Sequence, residues 1–223
     1  MRVLVACEYS GRVREAFRAR GHDAWSCDLL PSEDDSPHHM QGDVMGLFLG
    51  RPWDLMIAHP PCTHLAVSGA RHFEAKRADG RQQEAIDFFL SLARAPVPMI
   101  AIENPVCIMS SVWRKPDQVI HPHMFGHPEF KATCLWLKGL PKLRATNQLQ
   151  VPERGTDACK AWERIHRMSP GPDRWKERSR TFEEIANAFA DQWGSLESEA
   201  WPSNPEPTRP NVSELGVHEV ALP

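Results

Sequence analysis

Two short segments carry residues able to do chemistry. Residues 59–69 read HPPCTHLAVSG, and residues 101–105 read AIENP. In the first, Cys62 follows Pro60 and Pro61. Proline fixes φ, so this loop is stiff and the thiol position is set in advance. A positioned thiolate is a strong nucleophile and a covalent catalyst; the plainer reading is a buried cysteine in a tight turn. In the second, Glu103 follows an apolar run. A carboxyl there can act as an acid, or serve as a helix cap or ion-pair partner. As a pair, a nucleophilic cysteine and a protonatable glutamate at neighbouring strand ends suit one reaction. A thiolate can attack the electron-poor C6 of a pyrimidine if an acid neutralises N3 as charge develops. C5 of the resulting enamine then accepts a methyl group.

The elements that must position these residues follow from the apolar pattern. Residues 1–6 (MRVLVA), 24–27, 53–58 (WDLMIA), 97–102 (VPMIAI) and 132–138 (ATCLWLK) read as short buried strands. A helix is expected from Ser10 and Gly11 to about Arg20, stopped by Gly21. A second covers 81–94, where Ala85, Phe88, Phe89 and Leu92 form one stripe. A third covers 181–193, with Thr181 as N-cap and Glu184 completing a capping box. Residues 31–41 and 139–180 read as loops, the latter with a helix near Cys159 to Ile165. Strands alternating with amphipathic helices predict an α/β fold: a Rossmann-like, mostly parallel sheet with helices on both faces. Ligands of such sheets lie at the carboxyl ends of the strands. That rule singles out Glu8, Asp28, Pro60 to Cys62, and Glu103 to Pro105.

On these residues the chain resembles the DNA cytosine-C5 methyltransferases, whose signature is a Pro-Pro-Cys loop followed, after the next strand, by Glu-Asn. Here these are Pro60-Pro61-Cys62 and Glu103-Asn104. VLVACEYSGR stands where that family has its cofactor loop, and residues 133–141, TCLWLKGLP, are similar to short phage-encoded cytosine methylase-like proteins. The resemblance covers residues 1–194 and implies S-adenosylmethionine as cofactor. It implies Asp28 at the ribose, Asp43 of Gly42-Asp43-Val44 at the adenine amine, and Glu8 at the methionine ammonium. Backbone groups near Ser10 and Gly11 would take the methionine carboxylate. Pro60 would lie beside the cofactor, with Asn187 in the helix that closes the pocket. It further implies Cys62 as nucleophile and Glu103 as the acid at N3 of a cytosine flipped out of DNA, with Pro61, Asn104 and Pro105 lining the base. The first loop departs from the family pattern in having one glycine, Gly11. Lys131 stands where the family has an arginine at the pyrimidine O2; Arg71 is the alternative for that contact, and Ser68 is a candidate for phosphate. Only residues 139–180 remain where full enzymes carry a target-recognition domain. This implies relaxed or very short target specificity, or a substrate that is not a duplex.

Composition bounds the rest. The chain has 223 residues, 41% hydrophobic and 25% charged, which suits one domain over 1–194 with a tail. No apolar run approaches the ~18 residues of a membrane span, and the N-terminus turns polar too soon for a signal peptide. The expectation is a soluble protein of the cytoplasm, a host cell's if phage-encoded. Net charge is −3, yet residues 195–223 hold five glutamates against Arg209 alone and read as a disordered acidic tail. The six cysteines form no CxxC pair, so neither a zinc knuckle nor a disulfide framework is indicated. HPHMFGH, residues 121–127, lacks a further ligand set, so no metal is expected. Arg174, Lys176, Arg178 and Arg180 read as a phosphate contact or a solvated stretch. Competing functions are an amino-methyltransferase, which would want an aromatic residue where Cys62 stands, and an enzyme acting on a free pyrimidine nucleotide. A non-catalytic nucleic-acid-binding relative would need neither Cys62 nor Glu103.

Overall fold

A computed structural model of the chain describes residues 1–48, 52–171 and 174–196. Nearly all of the expected acidic tail lies outside the described residues. The strands are β1 (Arg2–Ala6), β2 (Asp23–Asp28), β3 (His39–Gln41), β4 (Leu55–Ala58), β5 (Met99–Pro105), β6 (Gln118–Ile120) and β7 (Thr133–Lys138). Helix α1 (Arg12–Arg18) joins β1 to β2, and α2 (Phe73–Ala78) and α3 (Arg81–Ala93) join β4 to β5. After β5 come α4 (Met109–Val112), then α5 (Asp157–Ala161), α6 (Arg164–Arg167), α7 (Arg174–Ser179) and α8 (Glu183–Trp193).

The strands form one sheet in the order β3-β2-β1-β4-β5-β7-β6. The first five are parallel, while β7 runs antiparallel to both of its neighbours. This is the α/β, Rossmann-like, mostly parallel sheet expected from the sequence. Chain order reverses between β1 and β4, so the loops leaving these two strands diverge and open a crevice at the switch point. Strand alternation sorts the core into two layers. Val3, Val5, Leu55, Ile57 and Ala101 face α1 and α8, packing on Phe17, Ile185, Phe189 and Trp193. Leu4, Ala6, Met56, Ala58, Ile100 and Ile102 face α3, packing on Ile86, Phe89 and Leu92.

Several local expectations are corrected. β3 and β6 are three residues each, at the two sheet edges, too short to show a period in sequence. β5 continues through Glu103, Asn104 and Pro105, because β7 supplies a partner for all three. Residues 139–180 hold helical turns beyond the one expected, including α7. Thr181 does not cap α8; the N-cap is Phe182, without a side-chain bond. Thr181 is instead buried against the sheet edge, its carbonyl accepting from Arg12 Nη1 at 3.3 Å. The capping partner Glu184 turns to His127 Nδ1, 3.1 Å away.

The entry to α1 is built around a buried cation. Arg14 is fully buried, and its guanidinium is paired with Glu15 (2.8 Å), Ser26 Oγ (2.8 Å) and Asp34. A charge taken out of water must be compensated in this way. Glu8, also buried, accepts from the Val13 and Arg14 backbone N–H groups at 2.7 and 3.2 Å, satisfying donors of the helix's first turn. Gly11 sits between them at φ 71°, where an added Cβ would fall 2.8 Å from the guanidinium carbon of Arg14 and the carboxylate of Asp34. Gly11→Ala should therefore cost about 1–3 kcal/mol through backbone strain and the displaced ion pair. A urea midpoint equal to that of the unaltered chain would show that the Arg14 cluster can shift freely.

Candidate active site

The parallel register of β4 and β5 brings the two motifs together. Ala58 pairs with Ile102, so the next residues, His59 and Glu103, arrive side by side, as do Pro60 and Asn104. His59 Nδ1 lies 2.8 Å from Glu103 Oε2, and the two side chains are only 11% and 13% exposed. Asn104 is buried and donates from Nδ2 to the Pro60 carbonyl at 2.8 Å. That bond ties the Pro-Pro-Cys loop to the end of β5. Beyond it the chain turns: the Leu65 and Ala66 N–H groups donate to the Cys62 carbonyl at 3.0 and 2.9 Å. The Cys62 side chain is left half-buried at the lip of the sheet edge.

Antiparallel pairing adds the third residue. Because β7 runs opposite to β5, its start lies at the carboxyl edge, with Thr133 opposite Pro105. Lys131, two residues earlier, is thereby delivered beside Glu103. Its Nζ donates to the Arg180 carbonyl at 3.3 Å and stands 5.5 Å from the centre of the Phe182 ring. Glu103, Lys131, Thr133, Thr181, Phe182 and Ile185 line a small cavity.

The charges of this cluster act on one another. Burial pushes the Glu103 carboxyl up, but the hydrogen bond and charge of His59, with Lys131 behind them, bring it below its ordinary value. Burial raises the Cys62 thiol and Glu103 raises it further, against the opposing pull of Lys131 and Arg178. Burial also raises the Glu8 carboxyl, which His59 and the α1 N–H groups offset in part. Cys62, Glu103, Lys131, His59 and Glu8 thus share one electrostatic neighbourhood.

The carboxyl ends of β1, β2 and β3 present a second set. Cys7 turns the chain at φ 60° directly after β1. Its thiol is raised by burial and by the charges of Asp28, Cys27 and Asp43, so both carboxylates stand close to it. Asp28 Oδ1 accepts from the Leu30 N–H at 2.9 Å, and Asp43 Oδ1 accepts from the Met45 N–H at 3.0 Å. The second oxygen of each has no partner among the described residues. Two such acceptors at adjacent strand ends fit a ligand carrying hydroxyl and amine donors, as a nucleoside does. Glu8 is different, since both of its oxygens already hold α1, and Ser10 Oγ adds a 3.4 Å bond to it. Its charge is used within the fold.

The remaining candidates divide. Pro60, Asn104 and Pro105 belong to the strand ends just described. Pro61, Ser68 and Arg71 are exposed, and Arg71 Nε bonds its neighbour His72 at 2.9 Å. Asn187 is exposed on α8 and accepts from Arg20 Nη1 at 3.1 Å, at the far end of α1 from Gly11. The histidines of residues 121–127 pack as rings, His123 stacking on His121 and Trp162 at 5.1 and 5.9 Å. Among the described residues no group of three or more His, Cys, Asp or Glu is arranged to hold a metal. No described helix is long and apolar enough to cross a membrane.

Sequence reasoning did not weigh His59, although its place at a strand end next to the loop was the available signal. It treated Arg178 only as part of a basic run. The structure carries that segment over the crevice: Tyr9 Oη meets Ser179 Oγ at 3.2 Å, and Arg180 pairs with Glu33 at 2.7 Å.

No family model matches the chain, and no curated relative matches it. Among solved structures, the chain is similar to a candidate DNA modification methyltransferase encoded within a prophage of E. coli. Identity is 16% and the TM-score 0.43, over 61% of this chain and 46% of that one. The chain thus spans less than half the length of that protein, and at this level the likeness says nothing about the reaction.

The raised Cys62 thiol has a direct consequence. In the free protein Cys62 should react with iodoacetamide more slowly at neutral pH than an unperturbed thiol. Its rate should keep rising with pH above the ordinary thiol range, ~8.5. Peptide mapping of the alkylated chain measures this, and fast labelling of Cys62 at pH 7 would show a preformed thiolate.

Proposed function

We propose that the protein transfers a methyl group from S-adenosylmethionine to C5 of cytosine in DNA, through a covalent bond to Cys62 and with short or relaxed target specificity. The observation that supports this reading is the meeting of Cys62, Glu103 and Lys131 at one sheet edge. A thiol, a buried carboxyl and a cation are the three groups that a nucleophilic attack on a pyrimidine ring needs.

Asp28 and Asp43 hold the ribose hydroxyls and the adenine amine. When bound, S-adenosylmethionine supplies a methyl group on a positively charged sulfur. The cytosine leaves its stack to reach the edge of the sheet, as a base must when chemistry is done on its ring. Cys62 loses its proton to solvent and its sulfur bonds to C6. The electron pair displaced from the C5–C6 double bond moves into the ring as Glu103 delivers a proton to N3. Lys131 gives one hydrogen bond to O2, where an arginine would give two. After C5 gains its methyl group, the C5 hydrogen leaves as a proton and the returning electron pair expels Cys62. Burial raises the resting thiol, so the thiolate is favoured only as Lys131 and Arg178 offset the Glu103 charge. A modest turnover follows from that balance.

Cys62→Ala should abolish formation of 5-methylcytosine, read by mass spectrometry of nucleosides, without altering the fold. DNA containing 5-fluorocytosine should form a stable adduct with the unaltered chain only; an adduct with Cys62→Ala would overturn the assignment. In calorimetry, Asp28→Ala should weaken binding of S-adenosylmethionine by roughly 10–150-fold, the loss of one hydrogen bond to a charged group. Unchanged affinity would remove Asp28 from the site.

A further inference from the structure

His59 is used by nothing in the reaction as written, yet it occupies the centre of the cluster. Its Nδ1 is 2.8 Å from Glu103 Oε2. Its Nε2 is buried and has no hydrogen-bond partner among the described residues. The groups around it come from every neighbouring element. Glu8 follows β1, Glu103 ends β5, Lys131 precedes β7, Arg178 lies on α7, and Cys62 shares its loop. Two of these, Glu8 and Glu103, are carboxylates, and two, Lys131 and Arg178, are cations.

An acid that protonates N3 near neutral pH meets a difficulty. A carboxyl ordinarily gives up its proton near pH ~4, and Glu103 is held lower still. Held so against burial chiefly by His59, Glu103 is ionised when the base arrives. The proton has to reside on a group that can pass it through Glu103, and the ring at Oε2 is the group in hydrogen-bond reach.

We propose that His59 is a positioning residue that stores, as imidazolium, the proton that Glu103 delivers to the pyrimidine. This rests on the cytosine-methylation reading. As the Cys62 sulfur bonds to C6, the His59 Nδ1–H bond breaks and its proton moves to Oε2. The carboxyl turns about its Cγ–Cδ bond and carries that same proton from Oε2 to N3, and His59 is left as the neutral ring protonated at Nε2. When Cys62 is expelled, the N3 proton returns to Glu103 and His59 is recharged, so the pair is restored with no net change. Until the proton is handed over, the hydrogen bond also fixes the Glu103 carboxyl plane.

The test is a set of pH–rate profiles for methylation of cytosine-containing DNA by the full chain, His59→Gln, Glu103→Gln and the double variant. Glutamine keeps a hydrogen bond to Glu103 but cannot carry a proton. His59→Gln should lower kcat at neutral pH roughly 10–100-fold, with KM for DNA little changed. Its pH–rate profile should differ in shape from that of the unaltered chain, because Glu103 must then take its proton from solvent. The double variant should be no slower than Glu103→Gln, because a residue acting through Glu103 has nothing left to act on. An unchanged kcat and pH profile in His59→Gln, or losses that multiply in the double variant, would overturn the inference. If thermal melting shows that His59→Gln is unfolded at the assay temperature, His59→Asn takes its place under the same criteria. Should the unaltered chain form no 5-methylcytosine and no 5-fluorocytosine adduct, the methylation reading falls and this inference with it. Normal methylation with an indifferent His59 variant removes this inference alone.

Discussion

The register between β4 and β5 is the constraint on which the candidate site depends. Once Ala58 is paired with Ile102, His59 must meet Glu103 and Pro60 must meet Asn104. A shift by one residue would exchange the two faces of the sheet. It would turn Glu103 into the layer packed on α3 and aim Asn104 at Phe182. Register here is held from both sides. Leu55 to Ala58 are buried on both faces, and the Asn104–Pro60 hydrogen bond closes the pair at its open end. The Pro-Pro-Cys loop is therefore rigid for two reasons: its own rings fix φ, and its first carbonyl is tied to the neighbouring strand.

Around this edge the fold manages buried charge by local pairing. Arg14 is compensated from α1, β2 and the loop after β2, and Glu8 by two backbone amides. Glu129 is compensated by Arg164 Nη2 at 2.9 Å and the Ile165 N–H at 2.8 Å, which pins α6 to the segment before β7. Each arrangement is costly to break because it would leave an unpaired charge out of water. The His59–Glu103 pair follows the same rule but differs in one respect: its ring keeps a buried nitrogen without a partner.

The segment from Arg174 to Phe182 links the two halves. It leans on the first loop through Tyr9 and Trp175, whose rings are 5.8 Å apart, and on the β2–β3 loop through Arg180 and Glu33. It also brings Arg178 toward Cys62 and lays Phe182 under Lys131. Positive charge from this stretch partly offsets the upward push of burial and Glu103 on the Cys62 thiol.

Much of the architecture was legible in the sequence, because short apolar runs and amphipathic stripes report directly which surfaces must be buried. The strands at 1–6, 53–58 and 132–138 and the helix at 81–94 follow from that pattern, and with them the rule that places ligands at strand ends. β3 and β6 did not, since three residues carry no period, and the Thr181 cap did not, because burial at the sheet edge outweighed a local bond. The residue types able to act, Cys62 and Glu103, were also legible. Of their partners, Lys131 was suggested only by the resemblance, and His59 was not weighed. His59 reaches Glu103 only through a parallel register across 44 residues of chain, and Lys131 reaches it only because β7 enters the sheet in the opposite direction. Asn187 stands in a sequence pattern that suggests a cofactor contact, yet the packing of α8 on α1 carries it to Arg20. Sequence determined which groups could do chemistry; strand order and register decided which of them meet, because contact across a sheet depends on pairing that no local pattern encodes.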